Sequence, residues 1–172
     1  ERTNPMMLLS TIESRVGLSE SNLELRKLLE SLGGSLSEIR LEIINRNDLN
    51  SIKKGAFRKH MNDFAFVELD SKTNKRVIYL IKDNLNLPSA GSFDLLASTI
   101  LHEVYHAVLY DVMENPVTDA EQELSKIINN LFRAAKSQSQ FKTYSAYSNV
   151  HEFVANGLTN HKIVTELKEM KY

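Results

Sequence analysis

His102 and His106 stand four residues apart, with Glu103 directly after the first, inside the apolar run LLASTILHEVYHAVLYD. No other stretch limits the fold as tightly. On a helix, residues i and i+4 lie one above the other on one face, so the two imidazoles can reach one ion. The surrounding pattern predicts that helix: Phe93, Leu96, Ile100, Val104 and Val108 recur at helical spacing, Ser92 is a candidate N-cap, and Pro116 ends the run. The motif therefore falls mid-helix. Glu103 is rotated off the axis of the two histidines and is placed to take a proton from a water held there. H-E-x-x-H is thus two zinc ligands and a general base within five residues. Zinc brings the pKa of its water toward neutrality, and the carboxylate removes the proton as the water attacks a carbonyl.

A catalytic zinc needs a third protein ligand and one open position. The chain has no cysteine, so disulfides, thiolate ligands and cysteine nucleophiles are excluded, and any metal site uses His, Asp or Glu. The downstream candidates are His151, Glu152 and His161. In NVHEFVAN, Glu152 opens a predicted helix, and two readings of it stand side by side. It is a ligand, or it is the reciprocal partner of an Asn149 N-cap. His161 reads as a surface histidine.

The remaining elements place this helix in an α+β chain. Residues 10–31 have a helical pattern with Leu23, Leu25, Leu28, Leu29 and Leu32 on one face, stopped by Gly33 and Gly34. Residues 37–44 alternate at Ile39, Leu41 and Ile43 as a half-buried strand does. FAFVEL and RVIYLI flank the turn-forming DSKTNK and predict a β-hairpin, followed by a loop over NLPSAGS. TDAE at residues 118–121 is a capping box for a helix whose face carries Leu124, Ile127, Ile128, Leu131 and Ala135. A polar loop, SQSQ, and two short helices parted near Gly157 close the chain. Strands and helices are segregated, which argues α+β rather than a doubly wound parallel sheet. The length, 172 residues, suits one domain: an N-terminal helical element over residues 1–35 and a core over 37–172.

LLASTILHEVYHAV followed by YSAYSNVHEFVANGLTN resembles the zincin metallopeptidase fold of the anthrax lethal factor type. It is similar also to zincin-like domains of large polyvalent proteins of phages and mobile elements. In that group an H-E-x-x-H-A helix is followed by a tyrosine-bearing segment and an E-F-x-A-E-like helix. The resemblance covers about residues 76–168 and implies a small mixed or antiparallel sheet packed on the motif helix, with further helices after it. It implies zinc ligands His102, His106 and Glu152, with Glu103 as base. It also implies a tyrosine that steadies the developing oxyanion, a place straddled by Tyr144 and Tyr147. The second glutamate of the later motif is Asn156 here, a residue still able to hydrogen-bond a ligand. A protein or peptide substrate is expected, added as a strand along the sheet edge, with residues 76–82 as the candidate edge. The implied activity is zinc-dependent peptide-bond hydrolysis. The alternative is a non-catalytic interaction or structural module of a phage or mobile-element polyprotein, braced by zinc.

Other surfaces say less. Basic and acidic residues nearly balance, 21 against 22, so no global field draws nucleic acid or an anionic membrane. KKGAFRKH, residues 53–60, reads as a solvated basic loop. No apolar run reaches membrane-span length and no secretory signal opens the chain. The expected setting is cytoplasmic, or within a virion or injected protein. The chain begins at Glu1 rather than methionine, as a piece of something larger would.

Overall fold

The computed structural model describes residues 2–31, 34–51, 57, 59–85, 92–138 and 145–170, and the chain divides into two compact units, residues 1–107 and 108–172. Gly33, the NLPSAG loop, Tyr144, most of the SQSQ–Tyr144 connection and most of the basic cluster at 53–60 lie outside the described residues.

The first unit holds the sheet. A short strand β1 (Arg2–Thr3) leads into α1 (Pro5–Val16), capped by Asn4, whose side chain accepts from the Met6 N–H. Helix α2 (Glu20–Ser31) follows a break at Gly17, whose φ of 78° is open to glycine. The single helical run read over residues 10–31 is therefore two helices, and it starts earlier. Strand β2 (Arg40–Ile44), a turn of helix α3 (Asp48–Ser51), and strands β3 (Ala65–Asp70) and β4 (Lys75–Ile81) follow. β3 and β4 form the expected hairpin, with Asp70 opposite Lys75 and Asn74 at positive φ in the turn. The β2 strand begins later than its alternation suggests, because residues 34–38 form a 3₁₀ turn. Ile43, predicted to be buried, is 54% exposed, while Ile44 is buried.

Among the described residues the sheet order is β1-β2-β4-β3, with β2 parallel to β4 and the other pairs antiparallel. This corrects the expectation that residues 76–82 form the sheet edge. β4 is interior, hydrogen-bonded on one side to β3 and on the other to β2, so it offers no free ladder to a substrate. Val77, Tyr79 and Ile81 join Ile44, Leu49, Phe57 and Phe66 in one core layer, while Ile78 and Leu80 bury on the opposite side. A strand covered on both faces reads as a continuous apolar run, which is what RVIYLI is.

Helices α1 and α2 pack into the first unit. Leu9 and Leu29 are fully buried, and the buried Asn22 of α2 donates to Asp94 Oδ1 (2.8 Å) and Ser98 Oγ (3.1 Å) on α4 (Ser92–Glu114). The Tyr105 hydroxyl of α4 donates to the Leu25 carbonyl at 3.2 Å.

The second unit contains the end of α4, then α5 (Asp119–Gln138), α6 (Val150–Thr159) and α7 (His161–Glu169). The capping box forms: the Glu121 N–H donates to Thr118 Oγ1 (3.2 Å) and the Thr118 N–H to Glu121 Oε2 (2.9 Å). The predicted face of α5 is buried only in part. Ala135 is buried as expected, but Leu124, Ile127 and Leu131 are 39–46% exposed, and Ser125, outside that face, is buried. Ala135, Ala146, Tyr147, Phe153 and Ile163 make the core, bordered by Phe132, Val154 and Leu167. α6 and α7 part at Asn160 rather than at Gly157. Gly157 lies inside α6, where a Cβ would make an ordinary contact with Leu167 Cδ1 at 3.4 Å.

Candidate metal centre

The motif sits where the spacing puts it, in the middle of α4, whose Ile100, Leu101, Val104 and Tyr105 are buried. That burial fixes the rotation of the helix. His102 and His106 fall on a partly buried face, with Nε2 atoms 3.1 Å apart and rings nearly perpendicular at 79°. Zinc–nitrogen bonds of 2.0–2.1 Å in a tetrahedron put two donors about 3.4 Å apart. The pair is therefore close to the spacing that one ion requires. Glu103, 9% exposed, leaves the same turn in a different direction.

Glu152 lies at the third position of α6. Asn149 is the N-cap and its Oδ1 accepts from the Glu152 N–H at 3.0 Å. Asn149 is thus the N-cap that the sequence suggests, and the bond that forms it uses the Glu152 backbone N–H, which leaves the carboxylate's role as a ligand a separate question. Its Oε2 accepts from Asn156 Nδ2 at 3.1 Å, and its carbonyl from the same nitrogen at 2.9 Å. His102, His106 and Glu152, all partly buried, each offer one ligand atom, and these atoms lie within 4.8 Å of one another. Two imidazole nitrogens and a carboxylate oxygen are a donor set that suits Zn²⁺, and no cysteine competes for it.

The other candidates are placed differently. His151 stacks on Tyr110 (4.8 Å, 13° between rings), and its Nε2 meets Glu114 Oε1 at 2.6 Å. His161 is exposed at the start of α7. The Tyr147 hydroxyl, in a fully buried side chain, donates to Glu166 Oε2 at 2.9 Å. Tyr144, the other candidate for the oxyanion, is outside the described residues.

Sequence reasoning did not find the partners of Tyr147 and His151. Buried Glu166 follows buried Ile163 at i+3, the one hint that a carboxylate faces inward there. No protein-family model, curated protein or solved structure matches this chain.

Proposed function

We propose that this chain is a zinc-dependent metallopeptidase domain of zincin type that hydrolyses a peptide bond. The observation that carries the reading is the convergence of His102, His106 and Glu152 donor atoms within 4.8 Å, on a helix that also presents Glu103. His102, His106 and Glu152 would hold the ion, which would supply Lewis acidity and lower the pKa of water toward neutrality. Glu103 accepts the proton of the attacking water and then delivers it to the leaving amine. Its burial, at 9% exposure, keeps bulk water from competing for that proton. The Tyr147 hydroxyl is engaged with Glu166, which argues against Tyr147 as a phenol donor to an oxyanion. If substrate adds to the sheet through its main chain, the outer strand of the hairpin is β3 rather than β4.

The test is elemental analysis of purified protein, followed by incubation with a complex peptide mixture read by mass spectrometry. One zinc per chain and new peptide termini are expected. Glu103→Gln should retain the zinc and lose hydrolysis by at least a hundredfold, on the order of a general base's contribution. A metal-free protein, or a Glu103→Gln variant as active as the parent, would sink the proposal. Bound zinc without any cleavage favours the zinc-braced structural module.

A further inference from the structure

We infer that Asn156 is a positioning residue that sets the Glu152 carboxylate for the metal, through a relay anchored on the backbone of α7. The inference rests on the metal reading above and extends it to residues outside the ligand set.

The amide orientations along this relay are fixed by chemistry. The Lys162 backbone N–H can only donate, and it donates to Asn160 Oδ1 at 3.1 Å as the N-cap bond of α7. Asn160 must then turn Nδ2 away from that N–H, and Nδ2 donates to Asn156 Oδ1 at 3.3 Å. Asn156 is in turn left with Nδ2 facing Glu152, where it donates to Oε2 and to the carbonyl. Asn156 is 8% exposed, so few waters can substitute for these partners. The Glu152 N–H is held by Asn149, which fixes the start of α6.

Two consequences follow for the carboxylate. The neutral amide places a donor on Oε2 without adding charge of its own. A donor on one oxygen also restricts rotation of the group, so that it meets the ion in one orientation. A carboxylic side chain at 156 would supply a charge in place of the donor. Outer partners of this kind tune metal affinity by on the order of 10–100-fold.

The experiment measures zinc affinity by competition with a chromophoric chelator, and the visible absorption of the cobalt-substituted protein. The parent, Glu152→Ala, Asn156→Leu and Asn160→Ser are compared, with apo-protein melting as the control for folding. Asn160→Ser keeps an N-cap for α7 and stays neutral but lacks the amide donor. Asn156→Leu should bind zinc on the order of 10-fold or more weakly and alter the cobalt bands. Asn160→Ser should move both readouts in the same direction by less, with the apo melt retained. If Asn156→Leu fails to fold, the Asn160→Ser result decides alone. Affinity within twofold of the parent and an unchanged cobalt spectrum in the folded variants overturn the inference. That outcome leaves the metal reading standing as long as Glu152→Ala loses zinc. A parent that binds no zinc, or a Glu152→Ala variant that binds as the parent does, overturns both.

Discussion

Arg2 clamps two strands at once: its Nε donates to Glu42 Oε2 at 3.0 Å and its Nη1 to Asp70 Oδ2. The Asp70 carboxyl is thereby pulled down to about 2, first by Arg2 and then by the Lys72 N–H that it also accepts. An unfolded aspartate titrates near 3.9. Because the folded value is the lower one, this contribution is present above about pH 4 and is lost as pH falls toward 2. Parent and Asp70→Asn melting temperatures should therefore differ at pH 6 and converge on acidification. A gap that stays constant down to pH 2 would show that the ion pair is not its source. Tyr147→Phe removes a buried donor from Glu166 and should cost about 1–3 kcal/mol in urea unfolding. If hydrolysis falls while stability is unchanged, that phenol serves the reaction instead. At this scale His102, Glu103 and His106 are legible in the sequence, because their relation is local to one helix. The place of Asn156 is legible too, but not its orientation, which depends on Asn160 and on the Lys162 backbone N–H in the following helix.

Elements were read best where one physical signal acted alone. The hairpin was legible because β-branched and aromatic runs flank residues with turn chemistry, and the α5 start because its capping box is a contiguous signature. β4 is interior rather than the edge expected at residues 76–82. Its unbroken apolar composition was the better guide, since only a strand covered on both faces buries Val77, Ile78, Tyr79, Leu80 and Ile81 together. The α5 face was legible only at Ala135, which joins the core of the second unit: Leu124, Ile127 and Leu131 share its helical spacing but stay exposed, while Ser125 is buried. Two substitutions separate these cases. Ile78→Ala should cost about 2–5 kcal/mol in chemical denaturation, as buried aliphatic truncations do. Ile127→Ala, at 46% exposure, should cost less than about 1 kcal/mol. Equal costs would mean that the stripe on α5 is covered in solution.

For the molecule as a whole, α+β segregation was legible from element order, and the join of the N-terminal helices to α4 was not. That join uses the buried Asn22, bonded to Asp94 and Ser98, and the Tyr105 hydroxyl on the Leu25 carbonyl, partnerships without periodicity to announce them. A chain lacking residues 1–31 should lose the cooperative thermal transition of the first unit, followed by circular dichroism. A sharp melt retained in that truncation would make the helices dispensable. No described helix is long and apolar enough to cross a membrane. The sheet order carries a consequence for synthesis. β4 joins both halves of the sheet, yet it leaves the ribosome after β1 and β2. The two residue pairs of β1 with β2 are too few to hold alone. The early strands therefore wait, while β3 and β4 close across their short turn as soon as both have emerged. On contact order the hairpin is expected to recruit β2 next and the Arg2–Thr3 strand after it.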